Sequence, residues 1–326
     1  MNFIINTMLS LFRKNSVIKY LYYHIPLIST IVTNRQYEYY KNLESSNYLH
    51  ELSVWYNLQT GRELNLENPK TFDEKIQWMK LYDSTPLKTQ LTDKYLVRDY
   101  VTEKIGKQYL ISLLGVWDTF DEIDFEGLPN QFVLKANHGS GWNIIVRNKS
   151  AFNKKDAKKK FDKWMKTNYA FQAGLELQYK NIQPKIIAEE YLENEGGNLF
   201  DYKVHCFGGR AEYIQYIGDR ATHTTREGWF DRDWNLMPFT LTYPKYSHKI
   251  PCPKNYNNLL EVAEILSSPF SYVRVDFYVL NDGQFKFGEM TFTPASGGDR
   301  FTPEEYNLLL GELIPLNKSK DGGNYL

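Results

Sequence analysis

The chain has 326 residues, with 39 basic and 39 acidic side chains, so its formal net charge is zero. That balance offers no basic footprint for nucleic acid, and no nucleic-acid partner is expected. The two cysteines, Cys206 and Cys252, have no metal-ligand spacing and build no disulfide framework; they fit a reducing compartment, and a cytoplasmic location is expected.

Residues 1–12 are apolar, Arg13 and Lys14 follow, and Val17 to Val32 is apolar again but interrupted by Lys19, His24 and Pro26. The second run falls short of a spanning helix, and no small-residue cleavage site follows a signal-like core. Residues 1–36 are therefore read as an extension. Residues 1–33 could make a peripheral contact with the inner face of a membrane; packing on the domain or an oligomer contact are the alternatives.

Residues 35–60 are helical in composition and end at Thr60-Gly61. Thr71 and Glu74 form a capping box, in which each side chain accepts the other residue's backbone N–H. The helix it starts should turn Phe72, Ile76, Trp78 and Met79 inward, up to Leu81. Pro86 opens another helical stretch. Thr92 is the expected N-cap of a helix running to about Lys104, which places Lys94 in a first turn, an unfavourable site for a cation beside the helix dipole.

A short strand is expected over 110–116, and another over 131–136 that presents Lys135. Asn137-His138-Gly139-Ser140-Gly141 follows, and then a strand over 144–147. This is a hairpin with a Gly-Ser-Gly tip, whose backbone N–H groups can close over phosphate oxygens while Lys135 adds a point charge. No helix follows it and no Gly-Lys-Ser/Thr is present, so it is not a Walker A loop. Residues 153–168 are read as a lysine-rich amphipathic helix with a solvated face, contact with an anionic membrane or polymer being the alternative. The strand over 184–192 delivers Glu189, Glu190, Tyr191 and Leu192 to its end, before a turn at Glu195-Gly196-Gly197.

Residues 199–207 alternate, with Asp201, Lys203 and His205 on one face. The chain turns at Gly208-Gly209, returns over 210–217, and passes through a polar connection containing Arg220. Phe230 and Trp234 flank Asp231-Arg232-Asp233. A helix over 256–267 leads into a second hairpin. There Val273, Val275, Phe277 and Val279 share one face, and Arg274, Asp276 and Tyr278 the other. A two-residue Asp282-Gly283 loop predicts Asp276 opposite Glu289 and Arg274 opposite Thr291. Like charges directly opposite are destabilising in a sheet, and a pair of carboxylates kept there suits a shared Mg²⁺. The last helix, 303–313, has Thr302 as its expected cap.

In this order the features resemble the ATP-grasp superfamily: Asp93-Lys94, Lys135 before Gly139-Ser140-Gly141, the Glu189–Leu192 hinge, Asp201 and Lys203, Arg274-Val-Asp276, Glu289, and a small-residue loop at 294–298. The segments at 68–78, 135–141 and 288–292 are similar to the branch associated with teichuronopeptide and capsular polysaccharide biosynthesis, and carry the match over most of 50–315. The resemblance implies an α+β ATP-grasp fold, two lobes clasping ATP after a mostly helical N-terminal region. The implied divisions are an extension at 1–36, a helical region at 37–125, a nucleotide lobe at 126–192 and a catalytic and metal-binding lobe at 193–326.

It implies an ATP-dependent ligase that activates a carboxylate as an acylphosphate and joins it to an amine, on a carboxylate-bearing glycan and an amino acid. Lys94, Lys135 and the hairpin residues His138, Gly139, Ser140 and Gly141 would face the ATP phosphates. Glu189, Glu190, Tyr191 and Leu192 would face the adenine, and Asp201 the ribose. Asp276 and Glu289 would hold Mg²⁺, with Thr291 where many relatives have an Asn ligand. Arg274 would face the transferred phosphoryl group, and Lys203, His205 and Arg220 the acceptor. Three other readings stand beside this one: a glycosyltransferase using Asp231-x-Asp233, a carbohydrate kinase, and a non-catalytic nucleotide- or glycan-binding relative.

Overall fold

The alternating segments form two antiparallel sheets. The computed structural model describes residues 26–194, 199–218, 225–246 and 249–316; Arg220, the turn expected at 195–197 and most of the N-terminal extension lie outside the described residues. One sheet has four strands in the order β1-β4-β2-β3, with β1 Leu113–Trp117, β2 Phe132–Ala136, β3 Asn143–Val146 and β4 Ile186–Glu190. The other has five in the order β7-β6-β5-β8-β9, with β5 Phe200–Phe207, β6 Arg210–Gly218, β7 Arg226–Asp231, β8 Tyr272–Val279 and β9 Phe285–Thr291. With their helices they make the expected α+β class.

The chain divides into two compact units, Met1–Asn47 and Tyr48–Leu326. The first contains helix α1 (Pro26–Lys41). The second opens with α2 (Tyr48–Thr60), so the helical stretch expected over 35–60 is two helices. Residues 42–47 break it, because Asn and Ser side chains compete with the helical backbone; Asn42 Nδ2 turns back to the Glu38 carbonyl at 2.7 Å.

Each sheet covers its own core. Phe132, Leu134 and Ala136 from β2 and Ile186 and Ala188 from β4 pack with Phe161 of α6 (Lys154–Trp164). Val204, Val273, Val275 and Phe277 of the larger sheet pack on α7 (Tyr256–Ser267) through Leu259, Ala263 and Leu266. Helix α3 (Phe72–Tyr82) begins with the predicted capping box. Its inward face differs from expectation: Phe72, Ile76, Met79 and Leu81 are buried as predicted, Trp78 is only partly covered, and the polar Asp73, Gln77 and Lys80 are buried too.

Two expected caps are corrected. Thr92 ends helix α4 (Pro86–Thr92) instead of starting the next. Asp93 does the capping: its Oδ1 accepts the N–H groups of Tyr95 and Leu96 at 2.7 and 3.2 Å ahead of α5 (Val97–Lys104). A carboxylate that accepts those N–H groups beside Lys94 removes the dipole objection to a cation there. Thr302 does not cap α8 (Glu305–Glu312); its backbone pairs with Thr240 instead.

The hairpin β8–β9 contains a third correction, in two parts that cancel. Its loop has three residues, Asn281 to Gly283, closed by Leu280 N–H to Gln284 O at 2.8 Å, with Gly283 at φ 87°. This pairs Val279 with Phe285 and Phe277 with Phe287, one residue off the expected register. Gly288 is then an extra residue in β9, a bulge that restores Asp276 opposite Glu289 and Arg274 opposite Thr291. Core burial explains it. Phe285, Phe287, Met290 and Phe292 are all buried, which strict alternation cannot satisfy. The bulge changes parity between 287 and 290, and turns Glu289 to the polar face.

Candidate active site

The polar face of the larger sheet brings charged residues into two rows across β5, β8 and β9. Lys203 lies opposite Asp276, which lies opposite Glu289; His205 lies opposite Arg274, which lies opposite Thr291. Arg274 donates to both oxygens of Asp276, Nε to Oδ1 at 2.7 Å and Nη2 to Oδ2 at 2.8 Å. Lys203 Nζ donates to Asp276 Oδ2 at 2.5 Å and lies 3.1 Å from Asp201. Arg274 also donates to Thr291 Oγ1 at 3.1 Å, and that hydroxyl donates to Glu289 Oε1 at 3.2 Å.

Lys94 joins this face to the Gly-rich hairpin. Its Nζ donates to the Gly139 carbonyl at 2.8 Å and lies 3.3 Å from Glu289 Oε2. Asn137 anchors the hairpin root: its Nδ2 donates to Asp93 at 2.9 Å, its Oδ1 accepts from Lys185 N–H at 2.7 Å, and its carbonyl accepts from Lys94 N–H at 3.1 Å. His138 is buried, with Nδ1 3.1 Å from Asn137 Oδ1 and Nε2 3.1 Å from the Trp164 carbonyl. Both ring nitrogens thus support the hairpin. Ser140 and Gly141 are exposed at the tip, and Gly141 has φ 71°.

Lys135 and Glu189 pair across β2 and β4 at 2.5 Å, and Arg98 of α5 reaches the other Glu189 oxygen at 3.1 Å. Glu189 is thereby held between two cations. β4 ends at Glu190, whose N–H donates to the Ser112 carbonyl at 3.0 Å. Leu192 follows Tyr191, over whose ring the Arg147 guanidinium lies 5.9 Å from the centroid. Asp231 is spent on a turn: its Oδ1 accepts the N–H groups of Asp233 and Asn235 at 3.0 and 2.8 Å.

The electrostatics sort these groups. Burial works against the charge of Glu289, but Lys94, Arg274 and Lys203 outweigh it and hold the carboxyl at about 2. For Asp276 burial wins over Arg274 and Lys203, and its pKa is raised. Burial, with Arg274 and Lys203 nearby, drives His205 well below the ordinary imidazole value. Lys135 is raised because Glu189 overcomes the cost of its burial.

Among the described residues no group of three or more His, Cys, Asp or Glu side chains could hold a metal by itself. Asp276 and Glu289 are a pair of hard oxygen donors, and Glu289 is engaged at 3.2 to 3.4 Å by Thr291, Lys94 and Arg274. Such a pair fits Mg²⁺ that takes its remaining oxygens from phosphate and water, as that ion usually does. Arg274 and Lys203 also line a cavity of about 200 Å³, together with His205, Trp229, Thr242 and Asp299.

Of the residues singled out by sequence, Lys94, Gly139, Asp201, Lys203, Arg274, Asp276, Glu289 and Thr291 come together, and Lys135 with Glu189 forms a second group beside them. Arg98 and Asn137 were not anticipated. An arginine within a helix and an asparagine at a hairpin root carry no distinguishing pattern; their partners lie 91 and 44 positions away.

A family model described as TupA-like ATPgrasp matches residues 74–315. A comparison with curated proteins finds no match. Among solved structures, N5-carboxyaminoimidazole synthetase from Staphylococcus aureus is similar over 62% of this chain and 44% of its own, with 13% identity and a TM-score of 0.33. L-amino acid ligase from Bacillus licheniformis is similar over 76% and 57%, with 12% identity and a TM-score of 0.43. The ATP-grasp ligase PsnB, complexed with a precursor variant, Mg and ADP, is similar over 64% and 51%, with 9% identity and a TM-score of 0.34. This chain spans about half the length of those proteins.

Proposed function

We propose, from the premise that this chain belongs to the TupA-like ATP-grasp family, that it is an ATP-dependent carboxylate–amine ligase. The observation that supports this most is the convergence of Lys94, Lys203 and Arg274 on Asp276 and Glu289 beside a Gly-rich hairpin. Phosphoryl transfer asks for positioning and charge neutralisation rather than covalent chemistry from the protein.

In this reading Lys94, Lys135 and the hairpin backbone at 139–141 receive the ATP phosphates, with His138 bracing the hairpin. The segment Glu190 to Leu192 takes the adenine and Asp201 the ribose. Glu189 orients Lys135. Asp276 and Glu289, with Thr291 beside them, would hold Mg²⁺, which neutralises phosphate charge when bound. Arg274 steadies the transferred phosphoryl group, Lys203 and His205 face the acceptor, and the resemblance gives Arg220 the same role. The carboxylate is activated as an acylphosphate, and attack by an amine gives the amide.

The substrate pair we favour is a uronic-acid carboxylate of a surface or capsular polysaccharide unit and an amino acid, supported by the similarity at 68–78, 135–141 and 288–292. A cytoplasmic reaction is consistent with the free cysteines. No helix among the described residues is long and apolar enough to cross a membrane; contact with its inner face would rest on residues 1–33. The glycosyltransferase reading is disfavoured by the use of Asp231 within its own turn.

Asp276→Asn and Glu289→Gln should each lower ATP-dependent product formation by about 100- to 1,000-fold or more while the far-UV spectrum is unchanged. Uronic-acid glycans with the common amino acids, followed by ADP release and product mass, provide the assay. Full turnover in both variants would remove the phosphate-end assignment. A phosphorylated hydroxyl as product would make the protein a kinase instead, and failure to release ADP with any acceptor would favour a non-catalytic relative.

A further inference from the structure

The charged groups lining the cavity beside Arg274 are nearly all committed. Asp73 is bonded to Arg62 and Asn307. Lys203 is held by Asp201 and Asp276, and Arg274 by Asp276. Glu227, just outside the lining, accepts from Gln215 and from the N–H groups of Leu241 and Thr242. His205 is buried with Nδ1 2.8 Å from the Tyr272 hydroxyl. Asp299 differs: its carboxylate has one long contact, from Thr242 Oγ1 at 3.4 Å, and no ion-pair partner among the described residues.

The cavity has room for a small molecule. One water needs about 10–15 Å³ of such space, against the roughly 200 Å³ here. Two of its lining side chains, His205 and Trp229, carry buried ring nitrogens, Nε2 and Nε1, without a hydrogen-bond partner among the described residues. Buried polar groups are seldom left so.

The loop that carries Asp299 is held from below. Ala295 and Ser296 sit at φ 47° and 55°, conformations that persist only where the surroundings impose them. Lys80, fully buried, donates to the Ser296 carbonyl at 2.5 Å and hydroxyl at 2.7 Å, and Gln77 donates to the Gly297 carbonyl at 2.9 Å. Asp299 follows this clamp by two residues.

We propose that Asp299 binds the ammonium of the incoming amine in this cavity and accepts its proton as the carbon–nitrogen bond forms. The assignment rests on the ligase reading above. An amine substrate is protonated at neutral pH and has no lone pair to attack with. Transfer of one proton from R–NH₃⁺ to the Asp299 carboxylate frees that pair. Nitrogen attacks the acyl carbon, the C–N bond forms, and the C–O bond to phosphate breaks with its electron pair leaving on phosphate, which takes the second nitrogen proton. Burial raises the Asp299 pKa, with Glu227 in the same direction and Thr242 and Arg274 opposing, as suits a carboxylate that must accept a proton. Arg274 at the same cavity faces the acyl phosphate end, so both reactants meet there.

The test compares two nucleophiles on the full chain with ATP, Mg²⁺ and D-glucuronate or D-galacturonate. Hydroxylamine is uncharged at neutral pH and needs no base; the common amino acids do. Asp299→Asn should keep hydroxamate formation within about 3-fold and lose amide formation by about 100-fold or more. The rise of amide formation with pH that accompanies Asp299 ionisation should disappear, and Asp299→Glu should restore part of the rate. Equal loss of hydroxamate and amide, or undiminished amide formation, overturns the proposal and leaves the ligase reading standing. A wild-type chain that makes neither product overturns the ligase reading, and this proposal with it.

Discussion

Two regions of this molecule use lysine and glutamate in opposite ways. In the cleft, Lys94 lies 3.3 Å from Glu289, whose side chain is 31% exposed, and three cations hold that carboxylate ionised to about pH 2. Beneath the 293–297 loop, Lys80 and Glu176 are buried. Burial takes Lys80 below the ordinary lysine value and Glu176 above the ordinary carboxylate value, each only partly offset by the other. Lys80 is spent on backbone and side-chain oxygens and lies 4.5 Å from the centre of the Trp55 ring; Glu176 accepts from Thr293 at 2.5 Å. The number of nearby cations and the depth of burial, not residue type, separate a carboxylate kept charged for a ligand from one that is part of the scaffold.

The sharpest way to break the contrast is to shift the parity at the bulge. Inserting one alanine after Gly288 should turn Glu289 and Thr291 into the core or force Phe285 and Phe287 out of it. We expect loss of both ATP-dependent activity and cooperative unfolding, checked by calorimetry; a cooperative, active insertion variant would show that the strand absorbs a further residue without changing face.

A second experiment separates scaffold from site. Lys80→Met leaves Glu176 buried without its cation and should cost about 3–5 kcal/mol in urea unfolding, whereas Lys80→Met with Glu176→Gln should recover much of that. Equal losses in the single and double variants would mean that the two charges do not depend on each other.

The smallest effect concerns pH. The folded pKa of Glu289 lies below its ordinary 4.5, so its stabilising contribution is present above that value and is lost as pH falls toward about 2. Thermal unfolding between those limits should be less pH-dependent in Glu289→Gln than in the wild type. An unchanged slope would contradict the depressed value.

The hairpin shows how far the sequence could be read. Its alternation marked Val273, Val275, Phe277 and Val279 as core, and Asp276 was expected opposite Glu289, as observed. Yet the route was wrong, since a two-residue turn without a bulge would have set Phe285 and Phe287 on the polar face. The Asp93 cap was likewise assigned one residue early, because Thr92 and Asp93 are equally good caps and only the path of the preceding helix chooses between them. Lys80, Asp299 and Arg98 gave no signal.

What the sequence determined alone is local: strand faces, the Thr71–Glu74 capping box, and the order in which lysines, glycines and carboxylates occur along the chain. Side-chain period and backbone N–H groups a few residues apart dictate these without reference to the rest of the fold. Tertiary structure decided which charges meet. Lys94 reaches Glu289, Glu189 is shared by Lys135 and Arg98, and Lys80 lies under Ser296. Such partners are far apart in sequence, and their pairing and ionisation depend on burial that exists only once the sheets and helices have packed.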